Sequence, residues 1–190
     1  RRAAEDRLRE SEERFRIMAD TAPVLIWVMD ADRNLTYFNK PWLEFTGRTL
    51  EEALNDDWTV SVHPNDREPY RTAFEAACDA RERFTTEYRL RCADGEYRWL
   101  LDTGVPRFEP DGTFVGYIGS CIDITERKQA EETDQFLAAI VSNSDDGIIG
   151  KMLDGTVLSW NQGAEAIYGY TAEEMIGEWI GKVFLPEKRH

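Results

Sequence analysis

DRNLTYFNKPWLEFTGRTLEEA (residues 32–53) and DGTVLSWNQGAEAIYGYTAEEM (residues 154–175) are two versions of one unit. They align without a gap at an offset of 122, which sets Asp32 on Asp154, Asn39 on Asn161 and Gly47 on Gly169. Thr49 then meets Thr171, Glu51 and Glu52 meet Glu173 and Glu174, and aromatic Phe38 faces Trp160. Further on, Trp58 pairs with Trp179 after a one-residue slip, and Pro64 pairs with Pro186. The period is too long for a solenoid, so the chain reads as a tandem of domains.

The chemistry of the repeated unit is local. Asp32 and Asp154 suit tight turns between two short strands, the second of each pair being Leu35–Phe38 and Val157–Trp160. Asn39 and Asn161 follow as helix N-caps, each worth roughly 1 kcal/mol through an accepted backbone N–H. Gly47 and Gly169 end those helices. Thr49 to Glu52 and Thr171 to Glu174 have the Thr-x-x-Glu form of a capping box, with acids in the first turn where the helix dipole favours them.

Outward from that unit, Val24–Met29 is an apolar strand and Leu35–Asn39 returns beside it. Short helices run to about Leu54, and His63-Pro64-Asn65-Asp66 is a loop leading to a helix over Arg67–Ala80. That helix has Tyr70, Phe74, Ala77 and Cys78 at helical spacing. Phe84–Cys92 alternates, with Phe84, Tyr88, Leu90 and Cys92 on one face. Asp94-Gly95 makes a hairpin turn, Tyr97–Phe108 is a long strand, Pro110-Asp111-Gly112 turns again, and Phe114–Ile124 is the last strand. Two strands, several helices and three hairpin-linked strands predict an α+β domain, an antiparallel sheet with helices on one face.

The second copy lacks a counterpart to Pro69–Thr125. Val141–Lys151 and Val157–Trp160 supply only two strands, and such a sheet is marginal alone. Residues 145–190 are therefore expected to lean on another chain or to be less ordered than residues 20–125.

Of 190 residues 42% are apolar, six of them Trp, which argues for a packed core. The net charge of −14 repels phosphate backbones, so nucleic acid is excluded as a direct partner. Basic residues are 18 Arg and 5 Lys, a bias that genome composition and salt adaptation explain equally well. Cys78, Cys92 and Cys121 form no CxxC pair, so they read as buried thiols in a reducing compartment. No signal peptide opens the chain, and its longest uncharged stretch, Gly112 to Ile122, is too short to span a bilayer as a helix. A soluble, cytoplasmic module is expected, with a membrane-attached parent protein left open.

Together these features resemble a PAS domain with its C-terminal PAC-type motif, followed by the N-terminal part of a second PAS domain. The matching residues are the Asn39…Gly47 unit and its copy Asn161…Gly169, His63-Pro64-x-Asp66, Gly95-x-Tyr97-x-Trp99, Asp111-Gly112, and Asp123-Ile124-Thr125-Glu126-Arg127-Lys128. The resemblance implies a five-stranded antiparallel sheet in the order 2-1-5-4-3. It also implies a sensory or interaction role upstream of an output domain, commonly a histidine kinase or a cyclic-dinucleotide enzyme. The expected parts are an N-terminal amphipathic helix (1–19), a first PAS domain (20–125), a linker helix (126–142) and a truncated second PAS domain (143–190).

Residues 117–132, YIGSCIDITERKQAEE, change from strand to charged helix across Asp123, Ile124 and Thr125 with no loop between. Asp123 or Thr125 is expected to cap the helix, with Asp123-x-x-Glu126 close to a capping box. A junction without slack suits signal transmission, and it is equally an efficient structural corner. Ala130, Thr133, Leu137 and Ile140 lie at heptad spacing, and Leu8, Ser11, Phe15 and Met18 repeat that register 122 residues earlier. The weak seam predicts a parallel homodimer whose helix packing changes; helices folded back on their own domains are the alternative.

The helix-covered sheet face is expected to present Trp27, Tyr37, Phe45, Phe74, Tyr88, Leu90, Trp99, Leu101 and Cys121, with Asn39 beside them. Aromatics this dense either fill a core or line a small-molecule pocket. The flavin-attachment motif of blue-light relatives, Gly-x-Asn-Cys-Arg-Phe, does not occur, and Arg67–Ala80 has no His such as haem-binding relatives place there. Covalent flavin and haem are thus disfavoured, while noncovalent flavin or a small metabolite stays open. His63 lacks companions as a metal ligand or base and reads as structural. With no GxGxxG, Walker loop, HExxH or GxSxG, the segment is expected to be non-catalytic. A ligand-free structural relay is the competing reading.

Overall fold

The computed structural model describes residues 2–184, apart from the side chains of residues 2–4 and Leu8. Pro186, matched above to Pro64, lies outside the described residues, as does the seam side chain of Leu8. The chain forms two compact units, one ending at Lys128 and the other starting at Gln129.

The first unit opens with helix α1 (Arg2–Thr21) and strands β1 (Leu25–Met29) and β2 (Leu35–Phe38). Helices α2 (Lys40–Thr46) and α3 (Leu50–Asn55), a 3-10 turn (Trp58–Ser61) and helix α4 (Pro64–Ala80) follow. Strands β3 (Phe84–Arg91), β4 (Tyr97–Phe108) and β5 (Phe114–Asp123) complete a five-stranded antiparallel sheet in the order β2-β1-β5-β4-β3. The order is the one the family resemblance implied. Sequentially distant β1 and β5 meet at its centre, so its register depends on non-local pairing.

One face of the sheet packs against the helices. Leu25, Trp27 and Met29 of β1, Phe84, Tyr88 and Leu90 of β3, Leu100 of β4 and Tyr117 and Cys121 of β5 form the core with Trp42, Ala53, Tyr70 and Cys78. Two close approaches make this packing feasible. A Cβ on Gly119 would stand 2.1 Å from the Trp27 ring, and one on Gly104 would stand 2.2 Å from the Phe84 ring. These glycines are paired across β4 and β5, and over them the Trp27 and Phe84 rings stack at 6.1 Å.

His63 caps α4 by accepting the Asn65 N–H on Nδ1 at 3.3 Å, and Pro64 sits in the first helical turn, so the helix starts earlier than the expected Arg67. Asp66 then docks the helix to β3. Its carboxylate accepts the Arg89 backbone N–H at 3.0 Å and two guanidinium N–H groups at 2.8 and 2.7 Å, which holds it below the usual carboxylate range. The β1–β2 turn is organised by Asp30 rather than Asp32: Asp30 Oδ1 accepts the N–H groups of Asp32 and Asn34.

Helix α5 (Thr125–Ser142) runs from the first unit into the second. The second unit continues with β6 (Ile149–Lys151), β7 (Val157–Trp160), α6 (Gln162–Tyr168), α7 (Ala172–Met175) and a 3-10 turn (Ile180–Phe184). Val141 thus belongs to α5, and the expected strand over Val141–Lys151 shrinks to its last three residues. The two-stranded sheet still has a core of its own, with Val157, Ala164 and Met175 fully buried beside Trp160 and Tyr170. Leu158, Ile167, Ile176 and Trp179 remain exposed.

The repeat is reproduced at atomic detail. Gly47 and Gly169 take left-handed φ values of 69° and 75° at their helix ends. Both Thr–Glu pairs form complete capping boxes. Asn39 Oδ1 accepts the N–H groups of Trp42 and Ile26, and its Nδ2 donates to the carbonyls of Ala19 and Val24. Asn161 does the same for Ala164 and Ile148, and donates to Val141 and Asp146. Each Asn therefore ties the last turn of the preceding helix to the first strand of its own domain.

Candidate functional site

A cavity of about 80 Å³ lies between the sheet and the helices of the first unit. Trp27 and Met29 of β1, Leu35 and Phe38 of β2 and Tyr88 of β3 line the sheet side. Trp42 of α2, Trp58 of the 3-10 turn, and Tyr70 and Phe74 of α4 close it from the helix side, with Arg33 at the β1–β2 turn. The rings of Trp58, Tyr70 and Tyr88 lie 4.6 to 6.1 Å from one another.

Asp102 of β4 forms the polar end of the cavity and is 1% exposed. It accepts the Trp27 Nε1–H at 2.9 Å and the Tyr70 hydroxyl at 3.0 Å. Burial pushes its carboxyl up to about 6, against the lowering effect of these hydrogen bonds and one from the Cys121 thiol. Burial likewise pushes Tyr70, Tyr88 and Cys121 well above their ordinary values, so they stay protonated at neutral pH. All three cysteines are buried and free.

Of the expected pocket residues, Trp27, Phe74 and Tyr88 line the cavity. Leu90 and Cys121 belong to the surrounding core, and Phe45 packs against its edge. Asn39 serves as the buried cap and clamp described above, away from the cavity. Tyr37 lies on the other sheet face, where its ring meets Phe15 at 5.5 Å and its hydroxyl donates to Asp20 at 3.1 Å. Trp99 and Leu101 also point away from the helices. The expected face of β4 is thus the wrong one. Leu100 and Asp102 are buried, and they stand opposite Tyr88 and Cys121 respectively on the neighbouring strands. Directly paired residues share a face, so placing Tyr88 and Cys121 inward demanded Leu100 and Asp102 inward. The charge of Asp102, typical of a solvent-facing position, masks that signal in the sequence.

The outer face carries the strand-to-helix junction. The Asp123 carboxylate accepts the Thr125 N–H at 2.9 Å. Ile124 donates its N–H to the Trp99 carbonyl at 2.8 Å, and the Thr125 hydroxyl accepts the Trp99 N–H at 3.0 Å. Thr125 therefore stitches the helix start to β4 instead of capping the helix. Arg127 and Lys128 both pair with Glu87 of β3. The Trp99 ring is flanked by the Lys128 ammonium at 5.1 Å and the Arg89 guanidinium at 4.9 Å. Arg89 in turn holds Asp66, so a continuous set of contacts joins the start of α4 to the start of α5.

Residues 35–121 and residues 135–190 each match a family model described as a PAS fold, and the two spans make up well over half of the chain. The chain belongs to the PAS family. Its two PAS units are the sensory kind of domain found in signalling proteins. An uncharacterised protein of Sinorhizobium fredii, y4lL, is 47% identical over 132 residues, which is 70% of this chain and 16% of that protein. The peroxide stress-activated histidine kinase mak1 of Schizosaccharomyces pombe is 28% identical over 131 residues, 64% of this chain and 8% of that protein. The chain thus spans a small part of the length of these relatives. A sensory box histidine kinase/response regulator structure from Burkholderia thailandensis is 25% identical with a TM-score of 0.52, covering 66% of this chain and 95% of that one. Among the described residues of the PAS tandem, no three metal-ligating side chains come together, and no helix is long and apolar enough to cross a membrane.

Proposed function

We propose that this PAS tandem is a non-catalytic sensory module that converts a change in the first domain's aromatic cavity into a change at α5, for a downstream output domain. The observation that carries this reading is the loopless junction. Ile124 and Thr125 both bond to the Trp99 backbone, while Arg127 and Lys128 clamp the same helix turn to Glu87. A shift of β4 against β3 changes all four contacts together. Kinship with sensor kinases such as mak1 favours a histidine kinase output, and a cyclic-dinucleotide enzyme fits the same logic.

The module works as a parallel homodimer in this reading. Phe15, Met18, Leu137 and Ile140 are between 41% and 59% exposed, and Ser11, Ala130 and Thr133 are exposed in the same register. Met18, Leu137 and Ile140 leave apolar surface for a partner helix, while Phe15 also rests on Tyr37 of its own domain; a seam containing Ser and Thr holds weakly enough to rearrange. The small cavity supports a second reading, a ligand-free structural relay in which side chains alone fill the domain.

Hydrogen exchange tests the coupling. Phe74→Ala, which opens the helix side of the cavity and loosens the Trp27 and Phe84 rings packed against it, is expected to change amide exchange in residues 125–130. Unchanged exchange there, with the core perturbed, refutes transmission. Sedimentation showing only monomer at high micromolar concentration refutes the dimer.

A further inference from the structure

We propose that the cavity of the first PAS domain takes a small organic cation, an ammonium ion carrying one or two methyl groups, held between the aromatic rings and the Asp102 carboxylate. The inference deepens the sensory reading and rests on it for its biological meaning.

Three observations converge. Asp102 is almost wholly buried, and the groups that hydrogen-bond to it, Trp27, Tyr70 and Cys121, are all neutral. Among the described residues, the basic side chain that lines the cavity is Arg33, and its guanidinium is paired with Asp79 on α4. The buried carboxylate therefore faces the cavity without a counter-charge. A buried ionised group left in this way is costly, and a cation beside it relieves that cost. Secondly, the walls are ring faces and edges of Trp27, Trp58, Tyr70, Phe74 and Tyr88. Aromatic cages of this kind attract ammonium cations through their quadrupoles. An anionic ligand would meet like charge, and a neutral one would leave Asp102 uncompensated. Thirdly, the cavity is about 80 Å³, roughly half the size of a 150 Å³ cavity that accommodates benzene. That limits the occupant to a few heavy atoms. Arg33 is 44% exposed at the cavity edge, which brings the site to the surface at the β1–β2 turn.

The groups facing Asp102 from each packed element are Trp27 on β1, Tyr70 on α4 and Cys121 on β5, with Tyr88 of β3 beside them. The tyrosines and the thiol stay neutral up to alkaline pH. The titration that matters is therefore that of Asp102, whose carboxyl is pushed up to about 6.

The experiment titrates the 190-residue chain with methylammonium chloride against sodium chloride of equal ionic strength, followed by tryptophan fluorescence and calorimetry. Saturable binding is expected. Methanol, a neutral molecule of similar size, should bind about 30-fold more weakly or worse, as befits loss of one partner of a buried charge pair. Asp102→Asn should cost a similar factor, and Trp58→Leu about tenfold. Affinity should fall about tenfold from pH 7 to pH 5 as Asp102 takes up its proton, since the ligand does not titrate in that range. If either variant fails to fold, the methanol comparison and the pH series on the unaltered protein still decide. No saturable change up to about 10 mM, where a ligand with a Kd of about 1 mM is nine-tenths bound, overturns the proposal. So does methanol binding as well as the ammonium ion, or affinity that ignores pH. Failure here with the Phe74→Ala response intact removes the ligand class and leaves the transmission reading standing.

Discussion

Asp102 makes the stability of the first domain depend on pH in a direction unusual for a carboxylate. Its ordinary value is 3.8 and its folded value is about 6. The folded state thus binds the proton more tightly than the unfolded state. Between these values the native state holds more protons, so stability falls as pH rises. The contribution is fully present below 3.8 and lost above about 6. At about 1.4 kcal/mol per tenfold change in proton affinity, the whole effect is about 3 kcal/mol. The chain's pI of about 4.6 makes the acid end prone to precipitation, so the useful window starts at pH 5. About 1.4 kcal/mol of the effect remains there by the same linkage relation. The perturbation is Asp102→Asn, which keeps the shape and removes the titration. The assay is urea unfolding of both proteins at pH 5, 6, 7 and 8, following the transition that exposes Trp27. Shifts from other carboxylates, Asp66 included, cancel in the difference. The wild-type protein should lose about 1.4 kcal/mol relative to the variant between pH 5 and pH 8. A difference that stays flat, or one that grows in favour of Asp at high pH, refutes the account of an uncompensated buried carboxylate. Added methylammonium should flatten the dependence, because it holds Asp102 ionised.

Asn39→Ala leaves two backbone donors and two carbonyls without their partner and should cost at least about 2 kcal/mol. Asn161→Ala should lower only the transition of the second unit, and differential scanning calorimetry separates the two. Thr125→Val removes the acceptor for the Trp99 N–H; a loss of about 1–2 kcal/mol and faster amide exchange at Trp99 and in the first turn of α5 are expected. Gly119→Ala places a methyl group against the Trp27 ring, at a cost of about 1–3 kcal/mol for overpacking. It should also shift tryptophan fluorescence as the Nε1–Asp102 bond breaks.

The sequence alone determined whatever depends on short-range geometry. An Asn followed by a helical pattern, a Gly at its end and Thr-x-x-Glu after it each act within one turn of chain, so the 122-residue repeat translated directly into caps, helix ends and capping boxes. The strand-to-helix junction was legible for the same reason, since Asp123 reaches only to Thr125. Tertiary structure decided which face each strand shows the helices. Along β4, Trp99 and Leu101 look as apolar as Leu100, and Asp102 looks like a surface residue. Pairing with Tyr88, 12 residues before Leu100, and with Cys121, 19 residues after Asp102, reverses that reading. A shift of one residue exchanges the two faces of a strand, and only contacts made across the sheet choose between them. The buried carboxylate in its aromatic cavity, and with it the candidate ligand site, exists only once that choice is made.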